Sequence, residues 1–376
     1  MMSLKRTGIF IGLTIVILAV GAVMYIMYQI HDRPQKPSRP YPYYTEDVAF
    51  ENSSAGITLA GTLTLPSAQG NFPAAILISG SGPQNRDEEI AGHRPFLIIA
   101  NHLTKQGVAV LRCDDRGVGQ STGDFQAATT ADFATDVAAS IQFLKSRKEI
   151  NTDKIGLIGH SEGGMVAPLV ASKSEDVSFM VMLAGPGIDL VEVIMMQKEL
   201  VSRADGVSES DIKKWVLPVH EKACRMITTY TDTAALKADL KVLIEKAYDK
   251  SPPDLMPSDI PKEEVISTQV KYWSSDWYRY FLKYDPAAVL EKVSCPVLAL
   301  NGEKDLQVTP EENLSAIDNA FKKGGNTNVT VKELPNLNHL FQNCETGSPE
   351  EYEKIEETFS PIALKEMSDW ILEQVQ

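Results

Sequence analysis

Ser161 sits in "IGLIGHSEGGMVAP" (155–168), where an apolar run gives way to a helix-like stretch, with Gly159 and Gly163 two residues to either side. A serine hydroxyl is a poor nucleophile at its free pKa and needs a base to take its proton. The chain has six histidines. His339, in "LPNLNHLFQ", stands just after the last strand-like run, where a ring can reach a serine at a neighbouring strand end. The others fit less well. His31 flanks the N-terminal apolar stretch, and His160 shares the turn of Ser161, so its side chain should point away from the hydroxyl. His93 and His102 read as surface residues at the first helix, and His220 falls in the helical middle of the chain. A base in turn needs a carboxylate to orient it. Asp305, in "LNGEKDLQV", follows the preceding strand-like run at the right spacing, with Glu303 as the second choice. The order Ser161, Asp305, His339 describes nucleophile, acid and base for acyl transfer through a covalent intermediate.

Such an intermediate carries a negative oxygen that needs hydrogen-bond donors. One expected donor is the backbone N–H of Glu162, directly after the serine. The other is expected from "SGSGPQNRD" (79–87), the loop after an early buried strand, and is assigned to the Ser81 N–H with Gly80 and Gly82 as neighbouring options. The glycines around Ser161 have a steric reading. A turn tight enough to present the serine strains its backbone and leaves no room for side chains two residues away.

These residues need a scaffold, and the apolar periodicity supplies one. "EDVAFEN" and "ITLAGTLTLP" alternate as half-exposed strands do, whereas "FPAAILISG" (72–80) is continuously apolar, as in a fully buried strand. A helix pattern (95–105), a strand (108–113), a helix (131–145), a strand (154–158), a helix (163–172) and a strand (177–185) follow, with Asn151, Thr152 and Asp153 read as a turn. Strand text resumes at 295–302 and 328–334, and an amphipathic helix (360–374) closes the chain. Alternating strands and helices predict a mostly parallel, doubly wound sheet that binds ligands at the carboxyl ends of its strands. The helical, charged segment 188–290 interrupts the alternation and reads as an inserted cap over those ends. Its aromatic run "YWSSDWYRYF" (272–281) reads as core packing rather than acyl-pocket lining, and "DDRGVGQSTG" (114–123) as a tight turn beside the serine.

At 376 residues, 43% of them hydrophobic, the chain has ample material for a large core. Its net charge of −14 disfavours nucleic acid as a partner, because phosphates are held by Lys and Arg. The four cysteines are widely spaced with no CxxC pair and read as unpaired thiols. No zinc spacing, HExxH or Walker A loop is present, so no metal and no cofactor is expected.

The N-terminus is a separate object. Lys5 and Arg6 precede an uncharged stretch, and Gly8–Ile30 as a helix would span roughly 34 Å, enough to cross a bilayer. It reads as a membrane anchor with the remaining chain outside the cytoplasm. The alternative is a signal segment cleaved near "AVGA" (19–22), followed by export. Lysines and arginines on both sides leave the positive-inside rule undecided. Four prolines in 31–43 suggest a stiff spacer. The expected organisation is therefore 1–30 anchor or signal, 31–45 linker, 46–187 and 291–376 sheet domain, and 188–290 cap.

Six stretches, "GSGPQNRD", "DDRGVGQSTGDF", "GHSEGG", "WYRYFLKYDP", "CPVLALNGEKDLQV" and "LNHLFQNCETG", together resemble the bacterial serine carboxylesterases of the α/β-hydrolase superfamily, in particular the EstD-like group. The resemblance implies an α/β-hydrolase fold, a small-molecule acyl ester as substrate, and Ser161, Asp305 and His339 in the nucleophile, acid and base positions. The N-terminal segment departs from the group, so the group's location is not carried over. Serine peptidases of the prolyl-oligopeptidase type share the order of the three residues but carry a propeller domain, and no such repeat is present. A non-catalytic binding protein on this scaffold would be expected to have lost one of the three, and a dehalogenase would carry a carboxylate in place of Ser161.

Overall fold

The computed structural model describes residues 33–257 and 259–376. The expected anchor at 1–30 lies outside them. Among the described residues no helix is long and apolar enough to cross a membrane.

Among the described residues the first strands are an antiparallel pair, β1 (Tyr44–Asn52) and β2 (Ile57–Leu65), and the alternating text of β1 leaves it half-buried on one face and exposed on the other. Then follow β3 (Phe72–Ile78), α1 (Pro95–Lys105), β4 (Ala109–Cys113), α2 (Thr130–Lys145), β5 (Ile150–His160), α3 (Gly163–Ala171) and β6 (Phe179–Leu183). The helix α2 starts at a capping box in which Thr129 and Asp132 satisfy each other's backbone N–H groups. The insertion holds α4 (Leu190–Ala204), α5 (Leu217–Thr229), α6 (Thr233–Lys250), α7 (Lys262–Trp273) and α8 (Asp276–Lys283). The sheet region resumes with α9 (Pro286–Leu290), β7 (Val297–Gly302), α10 (Pro310–Lys323), β8 (Val329–Leu334) and α11 (Pro361–Val375).

The eight strands form one sheet in the order β1-β2-β4-β3-β5-β6-β7-β8. Pairings from β4 through β3 to β8 are parallel, and β2 joins β4 antiparallel. The period of two along each strand divides the core. Ile76, Leu111, Leu157 and Met180 pack with residues of α2, α3 and α10 on one face. Leu77, Val110, Ile158 and Val181 pack with α1 and α11 on the other. Both faces are covered, as a parallel sheet requires. The residues read as a turn before β5 instead lie within it, as an irregularity between the pairs Phe72–Ile150 and Ala74–Ile155.

The chain divides into two compact units, one comprising Leu190–Tyr284 and the other Asp32–Asp189 with Asp285–Gln376. The first is helical. Trp273, Tyr278 and Phe281 from the aromatic run are buried in it, with Tyr278 and Phe281 stacked 6.3 Å apart. Residues 285–290 belong to the sheet unit, where Leu290 joins the α2–α3–α10 face. Among the described residues Cys113, Cys224, Cys295 and Cys344 form no disulfide.

The proline-rich segment is not a free spacer. The Arg33 guanidinium donates to the carbonyls of Ile355, Ala91 and Glu353 at 2.8, 3.1 and 2.9 Å. The Gln35 amide donates to Phe359 O at 2.8 Å and accepts from the N–H groups of Thr358 and Phe359. Prolines limit backbone freedom, but these two polar side chains decide where the segment lies.

Candidate active site

Ser161 occupies the turn between β5 and α3 with φ +53°, a left-handed conformation that non-glycine residues seldom adopt. The turn is held by Ser161 N donating to Leu183 O at 2.8 Å and Gly164 N donating to Ser161 O at 2.9 Å. The flanking glycines are required by space. A Cβ on Gly159 would stand 2.0 Å from the Gly163 carbonyl oxygen, and one on Gly163 would stand 2.2 Å from that of Ile78. The elbow closes only because neither residue has a side chain.

Asp305 and His339 come together. Asp305 lies in the loop after β7, and its Oδ2 accepts from His339 Nδ1 at 2.7 Å. Its Oδ1 accepts from the N–H groups of Gln307 and Val308 at 2.8 and 2.9 Å. The carboxylate is thus fully engaged, 2% exposed beside a ring that is 4% exposed. Because a carboxylate only accepts, it fixes the His339 tautomer with the proton on Nδ1 and leaves Nε2 as an acceptor. Glu303 is turned elsewhere, accepting from Asn336 N at 2.8 Å. The His339 loop is set by the buried Asn338, whose Oδ1 accepts from Leu340 N and Gln342 N at 3.0 and 2.9 Å.

Ser161 Oγ makes no direct hydrogen bond to His339 among the described residues, and such bonds often tighten only when substrate is bound. The two are linked through the residue before the serine. His160 Nε2 lies 2.9 Å from the His339 carbonyl oxygen, and the two rings are 4.9 Å apart.

The loop at 79–87 is fixed from several sides. Gly80 N donates to Glu88 Oε1 at 2.7 Å, so among the three expected oxyanion donors Gly80 is already committed. Ser79 Oγ and Gln84 N donate to the two oxygens of Asp115 at 2.7 and 2.9 Å. Arg86 pairs with Asp114 through both its backbone N–H and its guanidinium. The "DDRGVGQSTG" loop is therefore the clamp on the 79–87 loop. Burial foremost, with the Glu162 and Glu88 charges adding to it, pushes the Asp115 carboxyl up to about 8, against the hydrogen bonds from Gln84 and Ser79. The Glu162 side chain is buried and accepts from Thr130 Oγ1 at 2.7 Å, so what it presents at the head of α3 is backbone.

Sequence reasoning gave Glu88 no role, set His160 aside as pointing away from Ser161, and read Asp114 and Asp115 only as part of a tight turn beside the serine. The signals were weak ones: a histidine adjoining the serine, and two aspartates ending a buried strand. His93, expected at the surface, is fully buried between Thr358 Oγ1 and the Tyr352 carbonyl, at 3.0 and 2.7 Å. Burial pushes its ring down to about 4. His220 is buried in the helical unit against Trp273.

A serine at a strained strand-to-helix elbow on this sheet, with an acid–histidine pair in the loops after β7 and β8, defines the class as an α/β-hydrolase. Solved structures agree on the fold. The hypothetical protein PA2218 from Pseudomonas aeruginosa aligns with a TM-score of 0.53 at 16% identity, over 92% of this chain and 98% of that one. The esterase Pf2001 of Pyrococcus furiosus aligns with 0.52 at 16% identity, over 93% and 98%. The chain belongs to the X-Pro dipeptidyl-peptidase (S15) family, whose sequence profile matches residues 55–332. That match includes Ser161 and Asp305 and ends before His339. Among characterised proteins it is similar to esterase EstD of Thermotoga maritima, 27% identical over 316 residues, which are 83% of this chain and 66% of the relative. The chain thus spans just under two thirds of that relative's length.

Proposed function

We propose that the protein is a serine carboxylesterase working through an acyl-enzyme. The observation that carries this reading is the 2.7 Å Asp305–His339 bond beside a serine held at φ +53°. Ser161 Oγ attacks the ester carbonyl while His339 Nε2 takes its proton, and Asp305 stabilises the imidazolium that forms. The N–H groups of Ser81 and Glu162 hold the oxyanion. His339 then protonates the leaving alcohol, and water releases the acid by the reverse sequence. The substrate is a small-molecule acyl ester, in keeping with the likeness to EstD.

A second reading, peptidase or amidase activity, is favoured by the family match. The two separate on substrates: p-nitrophenyl esters of rising acyl length against an X-Pro p-nitroanilide. Preference for the esters in kcat/KM supports the esterase reading, and preference for the anilide overturns it.

The N-terminal segment, with its uncharged stretch through Ile30, supports placement of the enzyme on a membrane with the catalytic unit outside the cytoplasm. Resistance to carbonate extraction, and cleavage by protease added outside the inner membrane, are the expected results. A shortened form released to the soluble fraction would instead favour a cleaved signal.

A further inference from the structure

His160 meets an oxygen at each ring nitrogen. Nδ1 is 2.8 Å from Glu88 Oε1 and Nε2 is 2.9 Å from the His339 carbonyl. A carbonyl oxygen only accepts, and an ionised carboxylate only accepts, so each contact calls for an N–H and the ring that satisfies both is an imidazolium. Both groups are removed from water, His160 at 5% and Glu88 at 1% exposure. The same Glu88 oxygen accepts from Gly80 N at 2.7 Å. Glu88 is itself held at φ +50°, a strained backbone that persists only where surrounding contacts over-determine it. A continuous buried path therefore runs from the 79–87 loop through Glu88 and His160 to the main chain of His339, and it passes the residue adjoining Ser161.

We propose that Glu88 and His160 form a buried carboxylate–imidazolium bridge that positions the oxyanion loop and the catalytic base relative to Ser161. Glu88 fixes Gly80, and with it the Ser81 N–H, while His160 fixes the backbone that carries the His339 ring. Both are positioning residues, and their role rests on the esterase reading above. The titratable groups facing the bridge are the His339 ring, Asp305 behind it, and Asp115 on the Glu88 side, which in turn feels the Glu162 charge. Burial of His160 favours its neutral form, but the Glu88 charge and hydrogen bond, with the His339 carbonyl, raise its affinity for the proton overall.

The test is nitrogen NMR of the full-length chain labelled with ¹⁵N-histidine, in which only six rings report. Loss of one signal in His160→Gln assigns it. At about neutral pH both His160 nitrogens should carry protons, although a free histidine is mostly neutral there. In Glu88→Gln, which keeps the shape and removes the charge, one of the two protons should be lost. Ester turnover in that variant should fall about 10²-fold in kcat with KM changed less than about threefold, because a misplaced oxyanion donor acts in the transition state. Glu88→Asp should recover part of it. A neutral His160 in the wild type overturns the bridge, as does a Glu88→Gln variant with wild-type kcat. If that variant does not fold, the wild-type signal still decides. The esterase reading fails separately, on activity retained by Ser161→Ala, while the His160 signal needs no turnover.

Discussion

Asp305 and His339 are bound at 2.7 Å through Oδ2 and Nδ1, and the other oxygen of the same carboxylate is taken up by two backbone N–H groups. The carboxylate can therefore neither rotate away nor exchange partners without losing buried hydrogen bonds. Asp305→Asn should keep the fold and lower kcat by about 10⁴, by upsetting the tautomer of His339. Glu303→Gln should change kcat little, since Glu303 serves the backbone at Asn336. Steady-state kinetics on one ester settles the ranking, and the opposite order would show that the wrong carboxylate has been assigned.

The elbow depends on missing side chains. Gly159→Ala places a methyl group 2.0 Å from a carbonyl oxygen on the first turn of α3. The backbone must move to make room, so a stability loss of about 1–3 kcal/mol or more is expected, with a larger fractional loss of activity. Denaturant midpoints and kcat measured together check this. Wild-type values for both would contradict the steric requirement for glycine at this position.

Arg33 and Gln35 clasp the segments around Ala91 and 353–359. Arg33→Ala combined with Gln35→Ala should lower stability by about 1–3 kcal/mol, the scale of a few part-buried hydrogen bonds. Activity at moderate temperature should be retained. For the same reason a truncation ending before Arg33 should be more stable than one ending after Pro40. Equal urea midpoints for the two truncations would contradict the clasp.

His93 ties stability to acid. Its folded pKa of about 4 lies below the ordinary 6.5, so between those values the unfolded chain binds a proton that the folded one does not. Stability from this group is complete above about pH 6.5 and is lost as pH falls through about 4, by at most about 3 kcal/mol. The geometry agrees, since the ring sits between a hydroxyl and a carbonyl and needs only one N–H. Urea midpoints against pH should have a shallower acid slope in His93→Gln than in the wild type. Parallel curves would remove His93 from the acid response.

The sheet and the three site positions were legible because they rest on local signals. Continuous apolar runs marked β3 and β6, and a strand end followed by a polar loop marked Asp305 and His339. What was not legible depends on contacts far apart in sequence. Glu88 and His160 are 72 residues apart, and nothing around either one announces the partner. His93 read as a surface residue because the segment that buries it, around Tyr352 and Thr358, lies more than 250 residues further along. The proline-rich segment read as a spacer because composition describes its stiffness and not the carbonyls that Arg33 finds. At Asn151–Asp153 residue types that favour turns lie inside β5 instead, where the pairing is irregular.

Whether Ser161 is the nucleophile is tested most directly by a fluorophosphonate probe followed by peptide mass spectrometry. The expected result is one probe adduct on the peptide containing Ser161, with ester hydrolysis lost in step with labelling. Ser161→Ala, folded as the wild type by circular dichroism, should take up no probe and should lose several orders of magnitude in kcat. Hydrolysis near the wild-type rate in folded Ser161→Ala, or an adduct confined to another serine, would contradict the assignment.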